Sequence, residues 1–319
     1  MGIQIIPTMP VGEVIDTIRA AEELGYGYAV VADEGFMPDV YVCLGVAARQ
    51  TGRIKLGPVT NGYTRHPVVT ATAIATLNEL SQGRAVATLV AGGSMVLTPM
   101  GIPREGPLAV MRETIEIMRR LWSGEKVTWQ GEHYRLDAAQ SSLGAQDIPI
   151  WLAVRGPQLL KLAGQQADGV ILMAKADLGP ALELVEQGIS ESDHRPKRIY
   201  LDRMAYTPEM LEEARVLYSY AVMDSPPRML KALGLSDDGI SAIQQAVKVG
   251  GPAAAANLIN LDMIRNYQIA GAPAECSAVL RALIQSHRLE VFILNIISPG
   301  LAANTQLMGE VAAIVSQAG

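Results

Sequence analysis

The chain has 319 residues, 49% of them hydrophobic and 18% charged, with a formal net charge of −6 at pH 7. That is apolar material enough for one large core, and an acidic balance with no basic stripe interleaved with aromatics argues against a nucleic-acid surface. No apolar run approaches the roughly 20 residues of a membrane span, and the start, MGIQIIPTMP, reads as a first strand and not as a secretory leader, so a cytoplasmic protein without membrane contact is expected.

Short apolar strands alternate with amphipathic helices along the first two-thirds of the chain. Residues 2–7 are β-rich, and after Pro10 the residues Val14, Ile18 and Ala21 mark one helical face that ends at Gly25 and Gly27. Tyr28–Ala32 is apolar without alternation, as a parallel strand buried on both sides requires. Asp39 is placed to cap a helix running to about Gln50. Residues 54–59 predict a third strand. Pro67, at a first helical position where a missing N–H costs nothing, opens a helix that ends near Ser81.

A fourth strand is expected at 85–90. Leu108, Met111, Ile115, Met118 and Trp122 then form one stripe of a longer helix. Residues 126–135 predict a β-hairpin turning at Gln130-Gly131. Strands at 150–154 and Gly169–Leu172 flank a helix at 159–166. From about 177 to 271 helical patterns prevail around one strand at 197–204, divided by Pro208, Pro226-Pro227 and Gly250-Gly251-Pro252. A helix at 274–286, a strand at Val291–Ile296 and a helix at 304–317 complete the chain. This repetition implies parallel strands joined by right-handed crossovers. Eight strands predict a single α/β domain over residues 1–319, a (β/α)₈ TIM barrel with a mostly helical insertion at about 206–271 before the last strand. An open doubly wound sheet would need a glycine-rich dinucleotide fingerprint after an early strand, and the sequence has none.

In such a barrel the active site lies at the C-terminal ends of the strands. Asp33-Glu34-Gly35 follows the second strand, where paired carboxylates can orient a substrate or move a proton. Glu34 is the stronger candidate, because turn capping accounts equally well for Asp33. After the third strand, Asn61 offers a donor and an acceptor and Arg65 a partner for an anion, unless the loop serves only turn and cap. Ala91-Gly92-Gly93 lets a ligand approach bare backbone, or makes an ordinary tight turn. Val154-Arg155-Gly156-Pro157 runs directly into a helix whose N-terminus, with an adjacent arginine, suits phosphate. Lys175 adds a second cation there or lies solvated on the surface. Together these strand ends point to a phosphate-bearing organic cofactor. Cys43 and Cys276 read as buried reduced thiols, and the four histidines lack metal-ligand spacing, so no metal is expected.

Residues 54–67, IKLGPVTNGYTRHP, followed by 73–84, AIATLNELSQGR, resemble the signature of F420-dependent luciferase-like oxidoreductases, and among them the methylenetetrahydromethanopterin reductase group. Ala91-Gly92-Gly93, the segment from Ile148 to Pro157, and Ala167-Asp168-Gly169 extend the likeness over about residues 2–175, and it resumes more loosely after Ala272. The resemblance implies a tricyclic coenzyme F420 ring at the barrel mouth. Val59, Thr60 and Asn61 would lie beside it, with a bulge and a non-prolyl cis peptide. Ala91, Gly92 and Gly93 together with Val154, Arg155, Gly156 and Pro157 would hold the ribityl-phosphate chain, and Lys175 would be a further phosphate contact. Gln4 and Arg65 would face a small-molecule substrate, Glu34 and Asp33 would handle its proton, and the protein would be a homodimer.

Four departures accompany the likeness. Gly57–Tyr63 is one residue shorter than the usual segment and lacks its later proline. Glu34 stands where many relatives carry histidine, and Gln4 where the methanopterin reductases carry glutamate. Residues 179–271 match no member recognised from sequence. An FMN-dependent monooxygenase on the same scaffold, or a cofactor-binding barrel without turnover, are the alternatives to hydride transfer onto a C=N, C=C or C=O bond.

Overall fold

The computed structural model describes residues 1–192, 194–223, 225–297 and 300–317. Ten strands are present among them: β1 Gly2–Ile5, β2 Tyr28–Ala32, β3 Lys55–Thr60, β4 Ala87–Val90, β5 Val127–Gln130, β6 Arg135–Ala139, β7 Ile150–Ala153, β8 Gly169–Leu172, β9 Lys197–Asp202 and β10 Val291–Ile296. Eight of them close into a parallel barrel in the order β1-β10-β9-β8-β7-β4-β3-β2, while β5 and β6 form a separate hairpin. Closure is direct, since Gln4 of β1 pairs with Asn295 on one side and with Val30 on the other.

Side-chain alternation explains the layers. Val30, Val59, Val86, Trp151, Ile171 and Ile199 fill the barrel interior. Their neighbours along the strands, such as Ala29, Val31 and Leu152, pack outward against the helices. Two glycines make room for this filling. A Cβ on Gly169 would lie 2.6 Å from the Trp151 ring, and one on Gly57 only 1.6 Å from the Val86 carbonyl oxygen.

Helix starts follow local chemistry. The Asp39 carboxylate accepts the N–H groups of Tyr41 and Val42 at 2.9 and 3.2 Å, so Val40–Gln50 begins where the sequence expected it. His66 Nδ1 accepts from Val68 N at 3.3 Å, ahead of Pro67. At the opposite end of the barrel from the mouth, Arg84 donates to the carbonyls of Ala48, Thr51, Ile54 and Ser81, at 2.7 to 2.9 Å. This one guanidinium ties two helix ends to the start of β3, and Gly83 (φ 83°) turns the chain into position for it.

The helical insertion leaves the barrel after β9 and returns before Pro273–His287. It comprises Pro208–Met223, Pro227–Ala232, Asp237–Gly250, Pro252–Ala255 and Leu261–Tyr267. Tyr218, Val222, Met229, Leu233, Ile243 and Ile264 give it a small core of its own. Its two stems meet: Ala205 N donates to Ile269 O at 2.9 Å and Gly271 N to Ala205 O at 3.0 Å.

Two expectations need correction. The hairpin turns over residues 131–134, not at Gln130-Gly131. The Glu113 carboxylate collects the backbone N–H groups of Glu132, His133 and Tyr134 and the Trp129 indole, which fixes a wider loop. No cis peptide occurs among the described residues; β3 keeps even register with β2 throughout, and its ladder to β4 is interrupted only around Gly57 and Pro58, where proline has no N–H to give.

Candidate active site

The C-terminal ends of the eight barrel strands and the inner face of the insertion enclose a cavity of about 1100 Å³. On its floor Gln4 Nε2 donates to Asn295 Oδ1 at 3.4 Å, joining β1 to β10. At the end of β2, Thr60 Oγ1 donates to Asp33 Oδ2 at 3.1 Å and Asp33 N to Val59 O at 2.9 Å, so Asp33 is held from two directions. Glu34 comes next on the cavity wall. Burial, and after it the charge of Asp33, raises its carboxyl above the usual range.

After β3 the Asn61 amide oxygen accepts from Tyr63 N and Thr64 N at 2.8 and 2.9 Å, forming the turn that the alternative reading anticipated. Among the described residues its amide nitrogen makes no hydrogen bond, and Asn61 lines the wall. After β4 Gly92 sits at φ 77°, and a Cβ there would press on Leu97 at 2.7 Å and on the Tyr63 ring at 3.1 Å. Nothing lies within 4 Å of a Cβ position on Gly93 or on Gly156 after β7, so bare backbone faces the cavity at both. Arg155 is fixed between Met173 Sδ at 3.0 Å and Ser225 Oγ of the insertion at 3.3 Å. Arg228 donates to Arg155 O and grips Asp177 with two nitrogens, locking the insertion to the ends of β7 and β8.

The mouth therefore brings together Gln4, Asp33 and Glu34; Val59 and Asn61; Ala91, Gly92 and Gly93; and Val154, Arg155, Gly156 and Pro157. Three expected residues lie off it. Thr60 is buried beneath Asp33 and acts only through it. Arg65 points to the barrel exterior, stacked 4.1 Å over the Tyr41 ring and 3.7 Å from Asp39, the residue that caps the adjacent helix. Lys175 is half-buried beneath the rim. Burial lowers its pKa, and the nearby Asp202 counters that.

Sequence reasoning missed Arg104, Asp202, Arg203, Tyr220, Tyr267 and Gln268, all of which line the cavity. Arg104 Nε braces the glycine loop through Ala91 O at 2.9 Å. Asp202-Arg203 carried a signal like that of Asp33-Glu34, two charges directly after an apolar strand. The insertion residues carried none, because only the chain's return places them at the mouth.

Fold and site define a (β/α)₈ barrel whose mouth cavity is lined by glycine backbone, a fixed arginine and a carboxyl group on the wall beyond. Residues 3–288 match the model of the luciferase-like monooxygenase family, and the chain belongs to that family. It is 32% identical to the 5,10-methylenetetrahydromethanopterin reductase of Archaeoglobus fulgidus over 97% of each chain. It is 34% identical to the F420-dependent glucose-6-phosphate dehydrogenase of Nakamurella multipartita, over 50% of this chain and 51% of that one. The structure of the coenzyme F420 dependent tetrahydromethanopterin reductase from Methanopyrus kandleri superposes with a TM-score of 0.89 at 27% identity, covering 99% of this chain and 98% of that one. The last match runs through residues 179–271, which sequence alone left without a counterpart.

Proposed function

We propose that the protein is a coenzyme F420-dependent oxidoreductase, transferring a hydride between the deazaflavin and a C=N, C=C or C=O bond of a small organic substrate. The observation that carries this reading is the layout of the mouth. Bare backbone at Gly93 and Gly156 and the fixed Arg155 form one rim, and Glu34, with its raised carboxyl, stands three strands round the barrel at the end of β2. Full-length likeness to F420-dependent reductases supports it. The donor set fits the cofactor: N–H groups and a cation for phosphate, apolar Val59 and the free Asn61 amide beside a ring, and room for a substrate as well.

F420 supplies or accepts the hydride when bound. The chain's own residues do the rest. Arg155 and the glycine backbone hold the anionic chain, and the Asn61 amide nitrogen orients the ring edge. Reducing a C=X bond at carbon leaves negative charge on X, and the Glu34 carboxyl holds the proton that X takes. Burial and, after it, the charge of Asp33, which Thr60 holds in place, both favour the protonated form of Glu34. The insertion excludes water from above.

We also assign a homodimer, formed by the outer face of the helices Val40–Gln50 and Pro67–Leu80. Val42, Val46, Val69 and Leu80 are exposed there. Thr72 and Thr76 turn their hydroxyls back to helix carbonyls at 2.9 and 2.8 Å, so that face presents methyl groups. Among the described residues no helix is long and apolar enough to cross a membrane, and the free, buried Cys43 and Cys276 agree with a reducing cytoplasm.

A fluorescence titration of purified protein with F420 and, separately, FMN tests the cofactor; preferential FMN binding overturns it. In Glu34→Gln, turnover falls about 100-fold while F420 affinity stays unchanged. Full activity in that variant removes Glu34 from the proposal.

A further inference from the structure

Arg203 follows the last residue of β9, where the barrel hands over to the insertion, and it lines the mouth cavity. Its Nη1 atom is sealed from solvent and has no hydrogen-bond partner. Among the described residues its guanidinium makes no hydrogen bond and no ion pair. The other arginines that line the cavity are both engaged: Arg155 by Ser225 and Met173, and Arg104 by Ala91 O.

The adjacent Asp202 forms no ion pair with it among the described residues. Its oxygens accept the Tyr200 hydroxyl, Met204 N at 2.6 Å and Ile269 N at 3.0 Å, and its charge is shared with Lys175. Tyr267, Glu213, Asp202 and Tyr220 act on Arg203 only through space. A guanidinium carries five N–H donors and cannot discharge itself by losing its proton. Burying it without a partner is therefore a standing cost to the fold, and the cavity is where a partner can arrive.

We propose that Arg203 is the anion anchor of the substrate pocket, receiving a carboxylate or phosphate carried by the organic substrate. Arg155 and Arg203 stand at the ends of β7 and β9, with β8 between them. Arg155 adjoins the bare glycine backbone, whereas Arg203 is walled by Tyr220, Tyr267 and Gln268 of the insertion, on the side of the Gln4–Asn295 pair. The division of labour rests on the F420 reading; the anion site itself does not.

The test uses the full chain and Arg203→Met, with Arg203→Lys as a second variant that keeps the charge. Thermal melting is followed at low ionic strength with increasing inorganic phosphate, alone and with saturating F420, and F420 affinity is measured by fluorescence. Without anions Arg203→Met melts no lower than the parent, since it removes an unpartnered buried cation. Its phosphate midpoint weakens about 10- to 100-fold, Arg203→Lys keeps part of the response, and F420 affinity stays within about threefold. A lower melting temperature with an unchanged phosphate response makes Arg203 merely structural and overturns the proposal. A tenfold loss of F420 affinity assigns the anion to the cofactor and also overturns it. If the parent ignores F420 but its phosphate response still requires Arg203, the anchor stands and the cofactor reading fails.

Discussion

Asp202 offers a quantitative check on the mouth. It is wholly buried, and that burial pushes its carboxyl from an ordinary 3.8 to about 6, even though the Tyr200 hydroxyl, the Met204 and Ile269 N–H groups and Lys175 all favour the charged form. The folded protein thus binds this proton more tightly than the unfolded chain does. The resulting stabilisation is fully present below about pH 4 and is lost as pH rises through about 6. At about 1.4 kcal/mol per pH unit the whole effect is about 3 kcal/mol, of which about 2 kcal/mol falls between about pH 4.5 and pH 7.5. Asp202→Asn titrates nothing. Its amide sets a donor against the Ile269 N–H, a penalty that does not change with pH, so the difference between parent and variant carries the information. Melting curves of both proteins across that range should show the parent losing roughly 4 °C relative to the variant. Lys175→Met removes a cation that favours the carboxylate and should move the loss to higher pH. A parent–variant gap constant with pH would refute the burial argument.

Other perturbations reach other parts of the structure. Gly92→Ala puts a Cβ at positive φ and against Leu97, and F420 affinity by fluorescence should fall about tenfold; unchanged affinity would remove this loop from the cofactor site. Arg84→Ala strips four backbone carbonyls of their donor and should cost at least about 3 kcal/mol, seen as a melting point roughly 6 °C lower. Arg84→Lys should recover little of this, because an ammonium cannot span the four carbonyls. The double change Val42→Glu, Val46→Glu should give a monomer by light scattering with its F420 affinity intact, and a persistent dimer would place the interface elsewhere.

The features legible in the sequence were those set by nearby residues. Tyr28–Ala32 and Gly169–Leu172 fall where their unbroken apolar runs put them, and Val291–Ile296 where a run broken only by Asn295 does, because a strand buried on both faces admits little else. Asp39 and Pro67 mark helix starts through contacts reaching two or three residues. The glycines and carboxylates at strand ends were found because barrel geometry sends every such end to one mouth. Arg65 and Lys175 lie off the mouth for the opposite reason. Their surroundings come from residues distant in sequence, Asp39 and Tyr41 beside the first and the charge of Asp202 near the second. Likewise the hairpin turn was set by Glu113, from the preceding helix. Arg203, Tyr267 and Gln268 meet only after the insertion has run its course.

The paired stems at Ala205 and Ala270 have an architectural consequence. Because the insertion departs and returns through one short parallel bridge, its two connections to the barrel lie side by side. Lengthening or rebuilding such a loop adds closure entropy only slowly, and no barrel strand needs to shift register to accommodate it. Apart from its docking contacts through Ser225 and Arg228, the half of the mouth lined by the insertion is thus a replaceable cassette. The half formed by the ends of β3, β4 and β7 is built into strands that the barrel cannot give up.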